Sequence, residues 1–186
     1  MSIVIRLYKW LRKRILKIDD RSQLEIAVAN GLKMGSNVHV MGDCILDPGH
    51  CWLIEIGNNV TLAPRVHVLA HDASTQNELG KTKIGLVSIG NEVFVGASTI
   101  ILPNTHIGDK VVIGAGSVVT KDIPSNSVAV GNPARVIMSY DQYMAKNKKM
   151  IENRRSFDGS YIIGTITDEK KQEMIRELQN GIGFIV

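Results

Sequence analysis

Six aliphatic residues, Ile89, Val95, Ile101, Ile107, Ile113 and Val119, recur at a strict interval of six. This period excludes most ways of folding the segment. An α-helix turns once in 3.6 residues and would scatter these side chains around its surface, while a flat strand alternates with a period of two. The position after the aliphatic is Gly90, Gly96, Gly108 or Gly114, with Leu102 as the exception. The position before the next strand's middle is Val93, Thr99, Thr105, Val111 or Ser117, all small or β-branched. Short strands joined by sharp turns into a triangular parallel coil satisfy all three observations. The aliphatic points inward and stacks on its counterparts above and below, the glycine is expected to supply a backbone shape closed to other residues, and the small residue fits beside the corner.

The same register is present upstream at Ile56, Leu62 and Val68, and again at Met34, Val40 and Leu46. It is interrupted twice. The stretch from Asp47 to His50 (DPGH) breaks it once, and a polar insertion of about residues 69–88 breaks it again. Loops that leave a rigid solenoid are where function tends to sit. The flanks read as helices. Residues 1–33 form an N-terminal helical segment, residues 34–137 the coil, and residues 138–186 a C-terminal helical extension. Within the flanks, Ser22 to Leu32 reads as a helix, as does SYDQYMAKNKKMIENRR after Pro133, and Asp168 to Gln179 reads as another with Thr167 as its N-cap. The expected class is therefore mainly β, a parallel β-helix with helices at both ends.

Composition agrees with a narrow, regularly stacked core: of 186 residues 17 are Gly, while aromatics make up only 5%. The net charge of +4 is concentrated between Arg6 and Lys17, where six Lys or Arg occur without an acid, so the remainder gives little reason to expect nucleic acid. In that segment Val4, Leu7, Tyr8, Leu11, Ile15 and Ile18 share one helical face opposite the cations. Such a helix either lies on an anionic membrane surface or packs its apolar face on the coil or a neighbouring subunit. Cys44 and Cys51 are too few for a disulfide framework and lack zinc-ligand spacing, and no signal-peptide pattern is present, so a cytoplasmic location is expected.

The stretch VSIGNEVFVGASTIILPNTHIGDKVVIGAGSVVTKDIPSNSVAVGNPARVI resembles the hexapeptide-repeat acyltransferases, and within them the maltose and galactoside O-acetyltransferase type. The resemblance implies a left-handed parallel β-helix, a homotrimer with active sites between neighbouring coils, acetyl-CoA as co-substrate, no metal, and an acceptor such as a sugar or polysaccharide precursor. It puts the general base at the start of the inserted loop, which is His71 here, and the CoA contacts at Ala97, Ala115, Thr120, Lys121 and Arg135. A histidine suits this chemistry, because its pKa near 6.5 leaves it free to accept a proton at neutral pH. Asp72 or Glu78 is available to orient the imidazole, and Asp47, His50 and Asp72 are candidates for the acceptor side. For Asp47 and His50 a plain turn held by Asp and Gly is an equal reading. His39, His67 and His106 occupy outward repeat positions.

Three other functions fit parts of the pattern. Acetyl transfer to an amine sugar, an antibiotic or serine would keep the chemistry and change the acceptor. A metal-dependent hydratase resembling the γ-type carbonic anhydrases would gather His67, His71 and His106 around zinc across a subunit interface. A non-catalytic assembly module would need the coil alone.

Overall fold

A computed structural model describes residues 22–186. The basic helix read over residues 4–18 lies outside the described residues. The chain divides into two compact units at Ile137 and Met138.

The first unit is a left-handed parallel β-helix with three sheet faces. The first face stacks Lys33–Met34, Ile54–Ile56, Val87–Ile89 and Thr105–Ile107. The second stacks Val38–Val40, Val60–Leu62, Phe94–Val95, Val111–Ile113, Ser127–Val130 and Arg135–Ser139. The third stacks Ile45–Leu46, His67–Val68, Ile100–Ile101 and Val118–Val119. The register pairs the period-six aliphatics with one another: Met34, Ile56, Ile89 and Ile107 on one face, Val40, Leu62, Val95 and Ile113 on the next, Leu46, Val68, Ile101 and Val119 on the third. The six period-six aliphatics Ile89, Val95, Ile101, Ile107, Ile113 and Val119 are all buried. Each such side chain contributes about 1.5–3 kcal/mol relative to leaving it in water.

The glycine expectation needs correction. Gly90 and Gly96 are not in the left-handed region. A Cβ on Gly90 would come within 2.8 Å of the Gly108 carbonyl carbon, and one on Gly96 would fall on the backbone nitrogen of Ala115. These glycines let successive coils approach. The left-handed conformation sits two positions later, at Glu92, Ser98, Asn104, Lys110 and Gly116, with φ between 53° and 68°. Corner polar groups close the stack: the Asn58, Asn91 and Asp109 N–H groups donate to Asn91 Oδ1, Asp109 Oδ1 and Ser125 Oγ at 2.9, 2.6 and 2.9 Å. The Asn91 amides beside Asp109 hold its carboxyl below the usual range.

Helix α1, Gln23–Ala29, precedes the coil, and its N-cap Ser22 forms a capping box with Glu25. Within the insertion, α2 spans Gln76–Leu79.

The second unit contains α3, Tyr140–Asn153, and α4, Asp168–Glu177, with N-caps Ser139 and Thr167. Short parallel strands Ser156–Phe157 and Phe184–Ile185 accompany them. Phe157 is buried, its ring 4.9 Å from that of Tyr161, whose hydroxyl donates to Glu173 Oε2 at 2.7 Å. No helix among the described residues is long and apolar enough to cross a membrane.

Candidate active site

Both interruptions of the six-residue register leave the coil at the same edge, between the third face and the first. After Leu46 the chain runs through residues 47–53 before rejoining the first face, and after Val68 it runs through residues 69–86. In regular coils the third residue beyond the inward aliphatic turns left-handed. Here those residues are Gly49 and His71, and neither does. Leu46 pairs with Val68, and the Asp47 N–H donates to the Val68 carbonyl at 2.9 Å. The two breaks are thereby brought together although they lie more than twenty residues apart.

Asp47 is the centre of the arrangement, with 0% exposure. Its Oδ2 accepts from the Ala70 N–H at 2.7 Å and meets His71 Nδ1 at 2.6 Å. Its Oδ1 accepts from the N–H groups of Gly49 and His50 at 3.1 and 3.2 Å. Burial pushes the Asp47 carboxyl up, but the His71 hydrogen bond, the Ala70 and Gly49 amides and the His71 charge together hold it below its ordinary value of 3.8. An ionised carboxylate only accepts, so the proton between it and the imidazole belongs to His71 Nδ1. That tautomer leaves the lone pair on Nε2, and the His71 side chain is 36% exposed. The pair therefore has an oriented imidazole with an available basic nitrogen, and a buried charge that stabilises the imidazolium once it forms.

The remaining candidates fall elsewhere. Asp72 does not orient His71. Its side chain accepts from the Ser74 N–H at 2.9 Å and pairs with Lys83 at 2.5 Å, and the Lys83 contact holds its pKa at about 2. Glu78 is an exposed residue of α2. Asp47 is not an acceptor-facing group either, since it is enclosed and its oxygens are already met by four donors. His50 does sit at the site, its ring centroid 4.9 Å from that of His71. The insertion contains more structure than a polar loop: His71–Asp72 pairs antiparallel with Lys83–Ile84 around a short 3₁₀ turn and α2.

Ala97 and Ala115 lie at the edge between the second and third faces, joined through the Gly116 N–H to the Ala97 carbonyl at 2.8 Å. Thr120 and Lys121 follow the last strand of the third face, and Arg135 begins the last strand of the second. Ala115, Thr120, Lys121 and Arg135 are exposed. Within one chain, among the described residues, His67 and His106 do not gather with His71. His106 Nδ1 is 2.6 Å from Ser88 Oγ, and the one group of three metal-capable side chains among the described residues is Asp47, His50 and His71.

Residues 87–121 match the bacterial transferase hexapeptide family (six repeats). Over 116 residues the chain is 40% identical to the galactoside O-acetyltransferase of Escherichia coli strain K12, a match covering 55% of this chain and 54% of that protein. Over its coil the chain is similar to the hexapeptide-repeat acyltransferases. Among solved structures, the maltose O-acetyltransferase from Clostridium difficile 630 is 32% identical, with 75% of this chain and 89% of that one covered and a TM-score of 0.48. The chain spans about half the length of the curated relatives it matches.

In this hexapeptide-repeat chain, Asp47 as the partner of His71 was not found by reading the residues near the histidine. The signal was available in the repeat itself. Aligning Leu46 with Val68 puts Asp47 beside Leu69 and thus next to the start of the inserted loop.

Proposed function

We propose that this protein transfers an acetyl group from acetyl-CoA to a hydroxyl of a sugar or polysaccharide precursor, with His71 as general base in a ternary complex. The observation that carries this reading is the 2.6 Å contact between His71 Nδ1 and buried Asp47, which leaves Nε2 as the basic nitrogen. The acceptor hydroxyl gives its proton to Nε2 as its oxygen attacks the thioester carbonyl. The tetrahedral intermediate then collapses, the carbon–sulfur bond breaks, and the proton held by His71 passes to the departing thiolate. Asp47 keeps the imidazole in the required tautomer and balances its charge while the proton is held.

The donor is proposed to bind along Ala97, Ala115, Thr120, Lys121 and Arg135, where Lys121 and Arg135 supply cations for its phosphates. Ala97 and Ala115 lie on the edge between the second and third faces, whereas Thr120 and Lys121 leave the third face at the same edge as His71, in a coil further along the axis. A homotrimer, with each site formed between two coils, would supply one subunit's CoA positions to the histidine of the next. A cytoplasmic setting goes with this donor.

Replacing His71 by Ala should lower turnover by about 10²–10⁴ while CoA binding, measured by calorimetry, persists. Turnover is read as thiol release with acetyl-CoA and a panel of pyranosides. Near-normal turnover in the variant would remove His71 from the mechanism.

A further inference from the structure

Trp52 stands out against its surroundings. Its neighbour Cys51 is 1% exposed, as is Ile54, yet Trp52 itself is 53% exposed. Leaving a large indole in water forgoes the burial that its neighbours obtain. Its mount is nevertheless firm. Trp52 lies in the 3₁₀ turn Cys51–Leu53. Cys51 Sγ is 3.5 and 3.7 Å from the Ala27 and Asn30 carbonyls at the end of α1. Gly31, with φ of +103°, lies so close that a Cβ added there would come within 3.0 Å of Trp52 Cβ.

The indole is also the outer member of a series of rings. Its centroid is 5.4 Å from that of His50 at 49°, and His50 is 4.9 Å from His71 at 43°. Both separations lie in the range where aromatic pairs attract. His50 contributes a further feature: its Nδ1 is buried without a hydrogen-bond partner and lies 3.9 Å from Asp47 Oδ1, too far to bond. The exposure of the His50 ring therefore belongs to its other atoms. Trp52 and His71 can be no further apart than the two ring steps together, so one ring-sized acceptor can touch both.

We infer that Trp52 and His50 form the acceptor subsite, in which one pyranose ring lays an apolar C–H face on the indole while His50 hydrogen-bonds one of its hydroxyls, directing a neighbouring hydroxyl to His71 Nε2. This deepens the reading of the protein as a sugar acetyltransferase and rests on it. Ligand sites typically combine an apolar aromatic wall with a few directed polar groups, as this ring series does. Trp52 acts as a specificity-determining residue, and selects for a ring with an apolar face over a short acyclic acceptor such as serine.

The test uses the full chain with Trp10→Phe, which leaves Trp52 as its single indole. Methyl β-galactoside, maltose and serine are titrated against the intrinsic fluorescence without donor, and then used as acceptors with acetyl-CoA. The expected result is a saturable change in Trp52 emission with a pyranoside and none with serine. Trp52→Ala should raise the KM for the pyranoside about tenfold with little change in kcat, and Trp52→Phe should recover most of the loss. Unchanged emission at saturating pyranoside, or a KM within twofold in Trp52→Ala, would overturn the subsite. So would a fall in oligomer mass by light scattering in Trp52→Ala, which would assign the indole to a subunit contact. Emission that responds to a pyranoside that is not acetylated would keep the subsite and refute the transfer reaction instead.

Discussion

Asp47→Asn tests the site with nearly unchanged shape. In the native protein four N–H donors converge on the two oxygens, from Ala70 and His71 on one side and Gly49 and His50 on the other. An amide has only one oxygen, so its NH₂ must confront donors in either orientation. Turned toward His71, it faces the Ala70 N–H and forces the imidazole into the tautomer that protonates Nε2, which removes the base. Turned the other way, it preserves the tautomer but opposes the Gly49 and His50 N–H groups and supplies no charge for the imidazolium. Turnover should fall by about 10²–10⁴ in either case, comparable to loss of the base itself. Each buried N–H left without its acceptor costs about 1–3 kcal/mol. In a chain of this size each kcal/mol corresponds to about 2–4 °C in the unfolding midpoint. The Asp47 carboxyl ionises more readily folded than unfolded, so its contribution is complete above the ordinary carboxylate pKa of 3.8 and is lost as pH falls through the lower folded value. The midpoint gap between the native protein and the variant should therefore narrow on acidification. Thiol-release kinetics and thermal unfolding across pH measure both effects. A variant that keeps turnover within tenfold, or a gap that widens in acid, would show that Asp47 does not serve His71 as described.

Gly96→Ala should destabilise by about 2–3 kcal/mol, because its Cβ meets the backbone of the next coil, which has little freedom to move. Gly116→Ala should cost about 1–2 kcal/mol, because its Cβ enters open space and only its φ of +68° is unfavourable. Denaturant unfolding of the two variants checks the order, and equal costs would contradict the close-approach explanation. Asp72→Asn, which loses the Lys83 pair but nothing that touches the His71 ring, should leave kcat within about threefold, the scale of an exposed ion pair. A loss comparable to that of Asp47→Asn would return Asp72 to the mechanism. Dialysis against a chelator should leave thiol release unchanged, whereas restoration of lost activity by zinc would assign a metal role to Asp47, His50 and His71.

The coil was legible because its information is local and repeated. A period of six is incompatible with a helix or a flat strand, and each aliphatic from Ile89 to Val119 states it again. Helix starts were legible for the same reason: Ser22, Ser139 and Thr167 satisfy amides only three residues away. Even within the repeat, however, the role of glycine was misread. The left-handed corner accepts Glu92, Ser98 and Lys110, while the need for glycine at Gly90 and Gly96 arises from a neighbouring coil that composition alone does not place.

His71, the proposed base, was singled out by its family context and its place at the start of a register break. Its partner was not. Asp72 and Glu78 are nearer in sequence, but Asp72 is drawn to Lys83 across the hairpin. Asp47 is 24 residues away and reaches His71 because Leu46 and Val68 stack in adjacent coils, so that two separate breaks share one edge. The same stacking sets His50 against His71, and the local 3₁₀ turn sets Trp52 against His50. The sequence alone thus determined a coil and where it is interrupted. Only the tertiary structure decided which interruptions meet, because hydrogen bonding between coils joins residues by their height along the axis rather than by their distance along the chain.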